Sequence, residues 1–180
     1  MEDKQQMTRY SLADMKKMVN KLALKINAPK NLLPTYNHII GDATPCVKID
    51  DKGYMFYVIS ERGREFTNEK TNQINDLLHW VFDTVTFYMS ITYELKNRIK
   101  DKDCRRIIFE KQEELLGQLN ETWRESKHAE HQRILKSFPF DDLAGLRSTF
   151  CGQLRKQGYS EIEIEKLAYE KYPKIKTNCC

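Results

Sequence analysis

Apolar residues recur at helical spacing near the start of the chain, at Leu12, Met15, Val19, Leu22 and Ile26. That period predicts an amphipathic helix from Ser11 to about Ile26. Ser11 suits the N-cap, with Asp14 three residues on. Lys16, Lys17, Lys21 and Lys25 fall mostly off the stripe, where a solvated face places them. A basic amphipathic helix can also lie on a membrane or an acidic partner, but this apolar side lacks an interfacial aromatic. Pro29 and Pro34 mark a loop over 27–35 that separates the helix from the main body. Tyr36 to Ile40 reads as a short edge strand, ended by a Gly41-Asp42 turn.

The period then changes. Tyr54 to Ile59 is a run of six apolar or aromatic residues, which predicts a strand covered on both faces. It runs into a knot of charge, Glu61-Arg62-Gly63-Arg64-Glu65. Just upstream, Val47 and Ile49 alternate with polar neighbours. Asp50-Asp51-Lys52-Gly53 joins the two runs, with Gly53 at the position that favours positive φ. The pattern predicts an antiparallel hairpin pairing 46–50 with 54–60. Two or three strands do not stand alone in water, so helices must cover them.

The cover comes at once. Thr71-Asn72 can cap a helix to about Ile99, with one face made by Ile74, Leu77, Val81, Val85, Tyr88 and Leu95. Trp80, Phe82, Phe87 and Ile91 add a second face, as expected of a helix contacted on more than one side. Asp103 can cap a second helix to about Glu125, with Ile108, Gln112, Leu115, Leu119 and Trp123 in its stripe. The short link makes these two helices antiparallel neighbours. A helix over 128–136, one opened by Asp141 and Asp142 to about Gln157, and one from Ser160 to about Tyr172 complete the chain. Ser160 with Glu163 has the form of a capping box.

The predicted class is α+β: a small antiparallel hairpin or sheet covered by a long antiparallel helix pair, with extra N- and C-terminal helices. The expected division is a hairpin-plus-helices body over 1–137, including the N-terminal helix, and a helical appendage over 138–180 packed on it.

Composition refines this reading. At 180 residues, 40% apolar and 31% charged, the chain fits one core domain with a small appendage. No apolar run reaches the roughly 18 to 20 residues that span a bilayer. The polar N-terminus does not resemble a secretion signal, so a cytoplasmic protein is expected. The net charge of +4 is uneven. Residues 1–30 hold 7 Lys/Arg against 3 Asp/Glu, residues 31–125 hold 13 against 16, and residues 126–180 hold 10 against 7. The mildly acidic middle argues against a nucleic-acid groove there. Cys46, Cys104, Cys151, Cys179 and Cys180 lack metal-ligand spacing and read as free thiols in a reducing compartment. The terminal Cys179-Cys180 reads as an exposed pair, although in a eukaryote such a pair can be prenylated.

Candidate chemistry centres on Arg and carboxylate groups. Glu61, Arg62, Arg64 and Glu65 end the central strand. Glu94 and Arg98 stand four apart on the long helix and can pair. Asp103, Arg105 and Arg106 open the next helix, on which Arg105, Phe109 and Gln112 share a face. The predicted fold allows these three elements to meet, and the Arg fork bonds carboxylates at fixed geometry. Such a cluster can be an ion-pair scaffold that orients helices, a partner- or ligand-binding surface, or a catalytic site for an anionic substrate. The catalytic reading requires a carboxylate of raised pKa in a pocket. His128 and His131 stand three apart with Glu130 between them, but a zinc site needs further ligands and no HExxH occurs. No triad order, phosphate loop or dinucleotide turn is present. Glu161, Glu163 and Glu165 open the last helix and would repel DNA.

Taken in order, Leu33-Pro34-Thr35-Tyr36, Gly53-Tyr54, Glu61-Arg62-Gly63-Arg64-Glu65, Leu77-Leu78-His79-Trp80, Tyr93-Glu94-Leu95 with Arg98, Arg105-Arg106 with Phe109, and Gln112 with Glu114-Leu115-Leu116 resemble the immunity-protein family numbered sixty-three. The resemblance spans about Leu33 to Trp123. It implies a cytosolic protein of bacterial polymorphic toxin systems that binds one cognate toxin C-terminal domain and blocks it. It implies no catalysis; no cofactor, metal, nucleic-acid or membrane partner is expected. On this reading Glu61, Arg62, Arg64, Glu65, Glu94, Arg98, Arg105, Arg106 and Gln112 form either the partner surface or the scaffold behind it. The net +4 lacks the strong acidity of many inhibitors of basic nucleases, and the acidic middle leaves room only for a local acidic face.

Overall fold

A computed structural model describes residues 9–174. The fold is α+β. Helix α1 spans Leu12–Lys25, and strands β1 to β4 span Thr35–Tyr36, Cys46–Ile49, Met55–Glu61 and Arg64–Thr71. Helices α2 to α6 span Ile74–Asn97, Arg105–Leu119, Glu121–Ser137, Ala144–Lys156 and Glu161–Lys171. The chain divides into two compact units. Among the described residues, one comprises 9–89 with Glu114–Arg124, and the other comprises Ser90–Glu113 with 125–174.

The first unit holds the sheet, in the order β1-β2-β3-β4. The expected hairpin is present, with Cys46 opposite Val58 and Ile49 opposite Met55. Its loop turns at Gly53, whose φ is +87°, and the Asp50 carboxylate accepts the amides of Lys52 and Tyr54. The charged knot does not end the sheet. Arg62 (φ +51°) and Gly63 (φ +78°) make a two-residue turn of the type I′ kind, and β4 returns antiparallel from Arg64. The hydrophobic pattern does not predict this second hairpin. Strand β4 lies at the sheet edge and is exposed except near Thr67 and Thr71. It therefore carries no apolar alternation to betray it. The expected strand over 36–40 shrinks to Thr35–Tyr36 and runs parallel to β2.

Tyr36, Val47, Ile49, Met55, Tyr57 and Ile59 form the core side of this sheet. Against them pack Met15, Val19 and Ala23 of α1, Leu77, Val81, Phe82 and Val85 of α2, Leu115 and Leu116 of α3, and Trp123 of α4. Phe82 is fully buried, and burial of that completeness stabilises by roughly 2–3 kcal/mol. The Tyr57 hydroxyl donates to Thr84 Oγ1 at 2.7 Å, and burial pushes its pKa up. Of the second α2 face, Phe82 joins the core and Trp80 packs on it, whereas Phe87 is 41% exposed. The capping box of Ser11 and Asp14 forms as the sequence predicts. The helix expected to run on to Glu125 stops at Leu119. Asn120 caps α4 instead, its side chain accepting the Thr122 amide at 2.9 Å.

In the second unit α5 and α6 form a helical hairpin around Leu154, Ile164 and Ala168. Gly158 turns the chain at φ +86°, and Ser160 and Glu163 make the predicted capping box. Asp141 and Asp142 are not the expected caps of α5. That helix starts at Ala144 with Leu143 at its N-cap and no side-chain cap, while Asp141 bonds Arg147 and the Leu143 amide and Asp142 bonds Arg106. Among the described residues Cys46, Cys104 and Cys151 are free thiols, while Cys179-Cys180 and the polar start of the chain lie outside the described residues.

Candidate functional site

The densest polar constellation lies at the start of α3, in the second unit. Asp103 precedes the helix, and its Oδ1 accepts the Arg105 amide at 3.0 Å, as an N-terminal cap does. The same carboxylate takes the Arg105 side chain through Nε at 3.0 Å and Nη2 at 2.6 Å, and the Asp141 amide at 2.8 Å. The Asp103 side chain is only 7% exposed. Burial alone would raise its pKa. Hydrogen bonds from the Arg105 guanidinium and from the Asp141 and Arg105 amides override that and hold the carboxyl below its usual range.

Arg105 spends its remaining donors on backbone. Nη1 reaches the Phe138 carbonyl and Nη2 the Pro139 carbonyl, each at 2.9 Å. Arg106 Nε bonds Asp142 Oδ1 at 3.1 Å and its guanidinium lies 4.2 Å from the Phe140 ring. Asp142 also accepts the Asp103 amide at 2.9 Å and the Lys102 ammonium at 3.0 Å. The amide and the two cations hold its carboxyl far below the usual range. From α5, Arg147 holds Asp141 at 2.8 Å and the Tyr172 carbonyl at 2.9 Å. The loop 138–142 is thus clasped by three arginines. A cavity of about 660 Å³ borders the clasp, lined by Arg98, Lys100, Cys104, Arg105, Asp142 and Thr149 among others.

Two further groups belong to this unit. Arg98 grips Glu94 through Nε–Oε1 at 2.7 Å and Nη2–Oε2 at 2.8 Å. Glu94 is 2% exposed, and the Arg98 hydrogen bonds keep its carboxyl ionised despite burial. Gln112 is likewise buried. Glu113 then binds both histidines through Nδ1, His131 at 2.6 Å and His128 at 2.8 Å. The His131 ring stacks on Phe109 at 3.8 Å. Among the described residues no group of three or more His, Cys, Asp and Glu is placed to hold a metal ion.

The charges at the β3–β4 turn, in the first unit, are of another kind. Arg62 is 90% exposed and meets Glu61 only at 3.7 Å. Arg64 lies 5.7 Å from the Phe66 ring, and Glu65 accepts from the Asn68 amide group at 3.0 Å. The nine sequence candidates therefore divide. Glu61, Arg62, Arg64 and Glu65 sit at an exposed turn, Glu94 and Arg98 pair along one helix, and Arg105 and Arg106 converge on the loop 138–142. Gln112 is buried within α3. Sequence reasoning places Asp103 beside Arg105 but misses Asp141, Asp142 and Arg147 as partners. The signal is present in two adjacent aspartates after Pro139, where a helix cap is the competing use.

Chemically, the clasp positions backbone. Among the described residues every carboxylate with a resolved pKa shift is shifted down, by hydrogen bonds to its ionised form. No helix among them is long and apolar enough to cross a membrane. No curated protein and no solved structure matches the chain. The model of a family described as immunity protein 63 matches residues 50–133. The resemblance carried by the residues is thereby supported, with its span moved from 33–123 to 50–133.

Proposed function

Residues 50–133 carry the pattern of the immunity protein 63 family, and from that premise we propose that the chain neutralises a cognate toxin by binding it one to one. The toxin domain is the C-terminal part of a bacterial polymorphic toxin, and the protein acts in the cytoplasm of the producer. It performs no catalysis. The family match carries this reading. One observation agrees with a scaffold role for the clasp: its arginines are committed to carboxylates and carbonyls. In this proposal the clasp around Asp103 is scaffold, and the exposed turn at Arg62 is open to a partner.

Co-expression tests the proposal. A neighbouring reading frame that encodes a toxic C-terminal domain is induced alone and together with this chain. Growth arrest alone and rescue on co-expression, with a stoichiometric complex on gel filtration, is the expected result. Arrest in both cases would overturn the reading, as would turnover of a small substrate by the purified chain.

A further inference from the structure

The first unit contains a groove of about 820 Å³ that the clasp does not involve. Helix α1 contributes Lys16, Asn20 and Leu24 to its lining, the loop after it contributes Lys30 and Leu33, and β1 contributes Tyr36. All of these residues precede the stretch that the immunity family matches. Its lining mixes apolar Leu24, Leu33 and Pro34 with polar Lys16, Asn20 and Lys30, a composition common in binding sites.

Three features define its occupant. The first is charge. Lys16, Lys30 and His38 border the groove, and among the described residues no carboxylate lines it. Among the described residues the segment 9–30 holds 6 Lys/Arg against 1 Asp/Glu. That acid, Asp14, is committed to the Ser11 capping box. The second is an edge. Strand β1 is the last strand of the sheet on this side. Thr35 and Asn37 donate their amides to the Pro45 and Val47 carbonyls of the neighbouring strand. Strand alternation then turns the Tyr36 amide and carbonyl the other way, outward from the sheet. The third is an unmet hydrogen bond. The Tyr36 hydroxyl is buried and has no partner among the described residues, and burial pushes its pKa up to about 12. Leu24, 78% exposed at the rim, adds apolar surface.

We propose that this groove seats an extended, acidic segment of the protein partner, laid along β1 with its carboxylates against Lys16 and Lys30. Strand addition supplies main-chain bonds, and the lysines select the sequence. The assignment rests on the immunity reading for the identity of the partner, and not for the chemistry of the groove.

The probe is the blocked peptide Leu-Glu-Val-Glu-Leu, with Leu-Gln-Val-Gln-Leu as its neutral control. Titration into the full chain, followed by amide chemical shifts, should move residues of α1 and of the segment 30–38 with the acidic peptide. The neutral control and the Lys16→Glu/Lys30→Glu variant should each bind about tenfold more weakly or worse. Both lysines are exposed, so the variant keeps the wild-type melting temperature. Tyr36→Phe should leave the free chain at least as stable, since it removes a buried unpaired hydroxyl. No shifts at millimolar peptide, shifts elsewhere, or equal binding of both peptides would overturn the groove. Co-expression with the toxin domain separates the two readings. If the wild type protects and the lysine variant protects equally, the groove is not the toxin's seat and the immunity reading stands. If the wild type fails to protect while the acidic peptide still binds, the immunity reading falls and the groove remains a site for acidic peptides.

Discussion

The turn at Glu61–Glu65 and the clasp at Asp103–Arg106 use the same residue types and look alike in the sequence. In the folded chain they are opposites. Arg62 is 90% exposed, sits at positive φ and meets Glu61 at 3.7 Å. Arg105 holds a nearly buried carboxylate at 2.6 Å and two backbone carbonyls at 2.9 Å. An exposed pair of the first kind is worth about 0 to 1 kcal/mol, because water screens it and ordering long side chains costs entropy. A buried carboxylate of the second kind is strongly destabilising when its partner is removed. Burial, and not charge content, separates a surface from a scaffold here.

The largest effect is expected at Arg105. Arg105→Ala leaves Asp103 buried without its guanidinium and leaves the Phe138 and Pro139 carbonyls without their donor. We expect a loss on the order of 2 to 4 kcal/mol, read as a lower urea midpoint at unchanged slope. The double variant Asp103→Ala/Arg105→Ala should lose less than the sum of the two single variants, since neither charge is then stranded. An unchanged midpoint combined with lost toxin binding would move Arg105 from scaffold to interface.

Acid probes the same network by a smaller step. Asp103, Asp141 and Asp142 all have carboxyls held below their ordinary values. A carboxyl depressed in the folded state contributes stability that is present above its unfolded pKa. That contribution is lost as pH falls through the folded value, because the unfolded chain then binds the proton more readily. Unfolding free energy should therefore decline from about pH 4 downward. Asp103→Asn should flatten that decline, with lower stability at neutral pH. An acid limb as steep as wild type in Asp103→Asn would remove Asp103 from the network.

What each element must bury decides how much of this was legible in the sequence. Helix α1, the β2–β3 hairpin, most of α2 and the capping box of α6 each bury an apolar face or use a local capping rule. Their spacing therefore announced them. Strand β4 buries almost nothing, so its eight residues carried no period to read. The stop at Asn120 depended on one side chain accepting one amide, within a stripe that otherwise runs on to Trp123. Asp141 and Asp142 had two physically sound uses, capping α5 or pairing with arginines. Their true partners Lys102, Arg106 and Arg147 include two that lie more than thirty residues upstream, at separations of 40 and 36. Long-range pairing of that sort leaves no local trace.

The gentlest test reverses the sign of the first. Arg62 occupies the left-handed region, where a non-glycine residue is strained by its Cβ, and its ion pair with Glu61 is long and exposed. Asn-Gly is the favoured pair for a two-residue turn with positive φ at both positions. Arg62→Asn should therefore raise stability by about 0.5 kcal/mol while removing the charge. Chemical denaturation of the two proteins side by side measures it. A clear loss of stability would mean that the Arg62 charge helps to hold the fold, and the contrast between turn and clasp would collapse. A small gain accompanied by weaker protection in cells would instead place the turn against the toxin, with its charge kept for binding at a cost in backbone strain.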